Sequence, residues 1–359
     1  MSQEEQEQSG FILYLSQQSL PVRLLAFIVF VVLIVGLIIG ITIGLYYFNV
    51  SNFPRLEPFA LSETVSVAEY ATFDDEEAYP GAVAVDENGI LYTGSYVHGA
   101  VWRVNTSGDI SEIPGSREQI GSVIGLDVAA DGSVYVLDHL DAFSNGGAKV
   151  WQISGETITP VAEFGVEGDI VVSKPNDIAV DSNGRVYLLD ISLSQILLLD
   201  GDNIRIWWQV PDETYQIAGL AYHAVNDSLL ISDANRHAIY EIPVSAEDTE
   251  SARETVFMLM ESVQEAPQFN GITVDGNGAI YASAFDLNEI WQIEPENNEY
   301  TVLANNYRGG SDVAYDAMNN RLFVNNWDQS WLIPVTLVIV QVDIPPRLPF
   351  SVDVIEFAD

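Results

Sequence analysis

The chain has 359 residues, 48% of them hydrophobic, with 7 Trp, 16 Tyr and 15 Phe, enough to fill a large packed core. Its 52 acidic residues stand against 13 basic ones, a net charge of -39, and such a field repels nucleic acid and anionic lipid headgroups while favouring cations or basic partners. Cysteine is absent, which excludes disulfides, zinc–thiolate centres, iron–sulfur clusters and a cysteine nucleophile.

Residues 1–21 read as a short polar tail without the basic start of a signal peptide. From Leu24 to Phe48 no residue is charged. At about 1.5 Å per residue this run exceeds a hydrocarbon core of about 30 Å, which predicts a retained membrane-spanning helix over 22–48. Tyr46, Tyr47 and Phe48 suit the far interface. Arg23 and Arg55 flank the run on opposite sides, so charge does not set its orientation. The short tail and long following domain favour a single-pass signal anchor, with that domain on the extracytoplasmic side of the cell membrane. Gly36, Gly40 and Gly44 lie four apart on one stripe, a pattern that lets a second helix approach closely in a homodimer or with a membrane-protein partner. Residues 49–60, with Pro54 and Pro58, read as a stalk. Asn49, Asn105 and Asn226 begin Asn-x-Ser sequences, which matter only where secreted proteins are glycosylated.

Residues 61–359 repeat one unit, clearest at 175–190: a short strand, a turn Asp181-Ser-Asn-Gly, and a second strand. Asp and Asn bond nearby backbone in such turns, and Gly enters positive φ without a steric cost. The unit recurs around Gly89, Gly132, Gly184, Asp227, Gly278 and Asn320, at intervals in the forties and low fifties. A third strand follows in each copy: Val101–Val104, Val150–Ile153, Ile196–Leu199, Ile239–Ile242, Ile290–Ile293 and Trp331–Val335. A weaker fourth follows at Thr159–Phe164, Ile204–Val210 and Tyr300–Ala304. Four strands per period predict an all-β, six-bladed β-propeller behind the single helix. Ser62–Phe73 reads as one further outer strand that would complete the last blade, and Val352–Phe357 competes for that role. Trp331–Asp343 is apolar but short, and reads as a core strand in preference to a second membrane span.

Pro80-Gly-Ala-Val-Ala-Val, Pro175-Asn-Asp-Ile, Ile217-Ala-Gly-Leu-Ala-Tyr and Phe269-Asn-Gly-Ile-Thr-Val together resemble the SMP-30/gluconolactonase/strictosidine synthase-like superfamily of six-bladed propellers, over about residues 62–340. NHL-repeat propellers share much of the pattern. Membrane-anchored members share the layout of one helix before the propeller. The resemblance implies, for its metal-dependent enzymes, a divalent cation such as Ca2+ at the tunnel mouth. The implied ligands are a Glu from the first blade, an Asn from the middle and an Asp from a later blade. Aligned on the turns, the corresponding ring here is Gly81, Ile124, Asn176, Ala218, Asn270 and Ser311. It lacks a carboxylate, and hard dications want several oxygens, preferably anionic. Asn176 and Asn270 are the remaining metal candidates. A shift of one residue would bring in Asp177 and Asp312.

Asn176, Asp177, Asn270, Ser311 and Asp312 are therefore the expected ligand-binding residues of the mouth. Asp138, Asp190 and Asp233 close second strands and suit backbone bonding to a neighbouring blade, or the lining of a pocket. His139 beside Asp138 is a candidate acid–base pair, although adjacent strand residues face opposite ways. His98, His223 and His237 show no metal spacing, and no Gly-x-Ser-x-Gly elbow or phosphate-cradling glycine loop occurs. Trp102, Trp151 and Trp291 occupy equivalent core positions. Trp207-Trp208 should point to both faces of a strand and offer a partner contact. The reading from sequence is a membrane-anchored binding or scaffold propeller with no catalytic residue and no cofactor assigned. The alternatives are a Ca2+-dependent lactonase or arylesterase, and an accessory subunit of a membrane complex.

Overall fold

The computed structural model describes residues 14, 17–52, 56–141, 146–259, 266–327 and 348–358. It divides into a unit carrying the amino-terminal helix and a unit formed by Arg55–Gln329 with Pro346–Asp359. In the first unit, helix α1 spans Leu20–Asn52. Within it, Leu20–Leu45 is long and apolar enough to cross a membrane. It is apolar all round, as a spanning helix is, with Phe27, Leu33 and Leu37 exposed. The helix runs past Phe48 into residues assigned above to the stalk, because nothing before Pro54 breaks it. Gly36, Gly40 and Gly44 have open space where a side chain would be.

The second unit is a six-bladed propeller. Blade 1 is Pro80–Val85, Leu91–Ser95, Val101–Val104 and Ile110–Glu112. Blade 2 is Val123–Val128, Val134–Asp138, Ala148–Ser154 and Thr157–Phe164. Blade 3 is Pro175–Val180, Val186–Asp190, Gln195–Asp200 and Asn203–Gln209. Blade 4 is Ile217–His223, Ser228–Asp233, Ala238–Pro243 and Glu254–Met258. Blade 5 is Phe269–Val274, Ile280–Ala284, Glu289–Glu294 and Glu299–Asn305, with Phe59–Ala60 added at its outer edge. Blade 6 is Val313–Asp316, Arg321–Asn325, Phe350–Phe357 and Val65–Phe73. The first strands of successive blades are neighbours around the axis, and blade 6 meets blade 1.

The turns work as their composition predicts. Asp181 Oδ1 accepts hydrogen bonds from the N–H of Asn183 (2.9 Å) and Arg185 (3.0 Å), and Gly184 sits at φ 77°. Asp86 and Asp275 make the same pair of bonds in blades 1 and 5. The apolar residues of each sheet form wedges against the next one. Tyr187, Leu198 and Trp207 pack with Leu220, Ile231 and Tyr240 between blades 3 and 4, and Tyr281 and Ile290 pack with Leu322 and Ile355 between blades 5 and 6.

Ring closure uses both competing segments. Phe350–Phe357 pairs with Arg321–Asn325 and so takes the third position of blade 6, where Trp331–Val335 was expected. Val65–Phe73 pairs with the outer side of Phe350–Phe357 as the fourth strand. Amino- and carboxyl-terminal strands thus lie side by side in one sheet. Trp331–Asp343 lies outside the described residues. Trp207-Trp208 also departs from expectation, since both rings are buried. Ile196 pairs with Trp208 and Leu197 with Ile206, so Trp207 is the extra residue of a β-bulge, which breaks the alternation of faces. Trp207 packs edge-on against Tyr187, and Trp208 donates to Glu250 (3.1 Å), which removes this pair as a partner contact.

Ile355 is fully buried in the closing blade. Ile355→Ala should cost about 2–4 kcal/mol, read as a lowered denaturation midpoint with an unchanged m-value.

Candidate functional site

The first strand of each blade begins at one end of the central tunnel. There Gly81, Ile124, Asn176, Asn270 and Ser311 line a common small cavity together with Asp177, Asp312 and Trp327. Five of the six ring positions read from the repeats therefore meet at the mouth, and the sixth contributes its backbone. Asn176 Nδ2 donates to the carbonyl of Ala218 (2.6 Å) and to Asn270 Oδ1 (3.2 Å), a bond from blade 3 across to blade 5. Ser311 Oγ accepts from Asn325 Nδ2 (2.8 Å), which also donates to the Pro80 carbonyl (2.9 Å) and so joins blade 6 to blade 1. Trp327, which the repeat pattern did not single out, stands at the rim edge-on to Tyr96 with ring centroids 5.0 Å apart.

Below the mouth the tunnel holds a cavity of about 200 Å³, lined in part by Asp127, Asp177, Asp312, Thr273, Tyr222 and Tyr315. Its three carboxylates are built alike. Asp127 accepts from the N–H of Val128 (2.7 Å) and, across to blade 3, Val180 (2.6 Å). Asp177 accepts from Ile178 (2.8 Å) and, across to blade 4, Leu220 (2.7 Å). Asp312 accepts from Val313 (2.9 Å) and, across to blade 1, Val83 (2.8 Å). Each carboxylate staples its own first strand to the next blade. Burial pushes Asp127 up to about 7. Burial, with the charges of Asp312 and Asp127, holds Asp177 well above the usual carboxylate range, and burial likewise raises Asp312.

These groups do not fit a hard divalent cation. The first-blade position where the resemblance implies Glu is Gly81, and a Cβ there would lie 2.3 Å from the Val123 carbonyl oxygen, leaving no room for a side chain. Asn270 Oδ1 already accepts the amide of Asn176, which would place an N–H donor beside any cation. Asp177 and Asp312, the one-residue alternatives, border the mouth but have both carboxylate oxygens bonded to backbone N–H groups. Among the described residues no group of three or more His, Cys, Asp or Glu side chains is arranged to hold a metal ion.

The remaining candidates fall elsewhere. Asp138 accepts from the N–H of Gly121, Ser122 and Leu140 and from Trp151 Nε1, so its carboxylate secures the approach to its own blade and does not orient His139. Burial lowers the His139 pKa, and its Nε2 is buried without a partner. Asp190 and Asp233 gather backbone N–H groups in the same way. His98 sits against Asp75 and Arg117, His223 against Glu241, and His237 against the Pro267 carbonyl. Trp102, Trp151 and Trp291 are core residues.

The sequence model described as the SMP-30/gluconolactonase/LRE-like region matches residues 120–324. The chain belongs to this family. No curated protein sequence matches it. Solved structures that resemble this SMP-30/gluconolactonase-like propeller include a gluconolactonase from Xanthomonas campestris (12% identity, TM-score 0.57, covering 84% of this chain and 94% of that one). A virginiamycin B lyase from Staphylococcus aureus is also similar (15% identity, TM-score 0.53, 82% and 99% covered). At such identities the likeness is one of fold. The family match spans the strands that carry Asn176, Asp177, Asn270, Ser311 and Asp312, but begins after Gly81.

The axial carboxylates give a pH dependence of defined sign. A raised pKa means that the folded state keeps protons which unfolded carboxylates release near about pH 4. Stability should therefore fall as pH rises from about 4 to about 7, by up to about 1.4 kcal/mol per pH unit for each group. Thermal melts of Asp127→Asn should show a flatter slope across that window than the parent protein. Gly81→Glu should lower the melting temperature, because its Cβ meets backbone.

Proposed function

We propose that the protein is a membrane-anchored, extracytoplasmic propeller that binds a ligand at its tunnel mouth without turning it over. The observation that carries this reading is the uncharged amide pair Asn176–Asn270, held to each other and to the Ala218 carbonyl where metal-dependent chemistry needs anionic ligands. Amide and hydroxyl groups beside an indole suit a neutral, polar ligand, oriented by hydrogen bonds and packed on Trp327. α1 then serves as a retained signal anchor, with the glycine face of Gly36, Gly40 and Gly44 available to a homodimer or membrane partner.

Family membership favours a second reading, a lactonase or arylesterase using Ca2+ at the same mouth. In that reading Asn176 and Asn270 would hold the ion, with Asp177 and Asp312 the nearest carboxylates. What the ion would supply is polarisation of an ester carbonyl and activation of water. The residues as arranged support only the positioning of a polar group by the two amides.

Calcium titration calorimetry and turnover of lactone and aryl ester substrates on the full-length protein in detergent separate the two. The binding reading expects no saturable calcium heat tighter than about millimolar, and no EDTA-sensitive turnover. Micromolar calcium binding together with EDTA-sensitive hydrolysis lost in Asn176→Ala would establish the enzyme instead.

A further inference from the structure

We propose that the outer rim of blade 5 is a membrane contact, with Phe59 and Leu61 resting at the interface of the bilayer that α1 crosses. The inference rests on the reading of α1 as a retained anchor. Phe59 and Leu61 are each 50% exposed, and Ala60 between them is exposed as well. Phe59 lies in the short strand and Leu61 at the bend that follows it. They do not dangle. Phe59 pairs with Asn305 and Ala60 with Ala304, and the Leu61 N–H donates to the Leu303 carbonyl (2.8 Å). Asn306 Nδ2 donates to the Glu57 carbonyl (2.9 Å) and fastens the segment from its other end. Backbone bonding thus fixes the segment that exposes these two large apolar side chains.

Chain length names the occupant. Phe59 follows the last residue of α1, Asn52, by seven positions, and an extended chain advances at most about 3.6 Å per residue, so the tether cannot exceed about 25 Å. A segment so close in sequence to a spanning helix, with an exposed aromatic and an exposed leucine, has the composition of an interfacial anchor. Glu57 and Glu63 flank it, which selects neutral headgroups over anionic ones. Val225 at 70% and Met318 at 66%, the most exposed large apolar side chains of the propeller, occur singly on turns of blades 4 and 6, while Tyr300, 40% exposed, lies on the outer strand of blade 5 itself.

The absence of cysteine makes the test clean. Full-length Phe59→Cys and Leu61→Cys proteins carry an environment-sensitive fluorophore in phosphatidylcholine nanodiscs, with spin-labelled lipids as quenchers. Val225→Cys and Met318→Cys serve as negative controls, and Ile34→Cys in the middle of α1 reports spanning. All four propeller positions are exposed, so folding should survive the changes. Shallow spin labels should quench positions 59 and 61 at least about twofold, as expected for side chains at the headgroup boundary, and leave 225 and 318 unchanged. Quenching at 34 with silence at 59 and 61 would overturn the rim contact and leave the anchor standing. Silence at 34 would defeat the anchor reading and the rim with it. A response at 59 that follows protein concentration, and not spin-labelled lipid, would assign the face to a second copy of the chain.

Discussion

Three hydrogen bonds around the axis organise the propeller. A propeller has no single core, because each apolar wedge lies between two neighbouring sheets. At three of the six seams a carboxylate staple registers one sheet against the next at the centre, with Asp127, Asp177 and Asp312 each taking the backbone N–H of a neighbouring blade, while hydroxyl and backbone bonds join the other three. The bonds are charge-assisted when the carboxylate is ionised and lie in a poorly solvated tunnel, so their strength and the cost of ionisation rise together. That balance sets both the raised proton affinities and the geometry of the mouth above.

The same staples restrict the chemistry available. A carboxylate committed to two backbone N–H groups is a weaker ligand for a cation than one facing open solvent, since a metal has to displace or share those bonds. The mouth adds a second restriction through close backbone approach at Gly81. Around the ring the inner strands present amide, hydroxyl, aliphatic and bare-backbone groups, and the six sheets do not depend on which of these they carry. Family membership therefore accounts for the architecture, whereas the mouth argues for its own function.

The repeats made much of this legible. Three Asp-x-Asn-Gly turns and three looser ones have local causes, namely side-chain bonds to nearby N–H groups and a positive φ at the turn residue, so six turns marked six blades and placed Asn176, Asn270 and Ser311 on one ring. Asp177 and Asp312 were visible as the adjacent positions. Asp127 was not, because it lies in the interior of a first strand and nothing local distinguishes it from a surface residue. Trp327 was missed for a related reason, since it follows a strand end in a single blade and has no repeat to mark it.

Sequence alone determined the apolar helix, the number of blades and the ring at the tunnel mouth, all of which depend on periodicity and local backbone preference. Tertiary structure decided which strands close the ring, because Val65–Phe73 and Phe350–Phe357 have similar composition and only their pairing with Arg321–Asn325 orders them. It also decided that both rings of Trp207-Trp208 turn inward, through a bulge that strand alternation does not anticipate. Finally, it showed that the acids nearest the mouth are bound to neighbouring blades. That depends on donors 43 and 229 residues away in the chain, which come within reach only once the circle is complete.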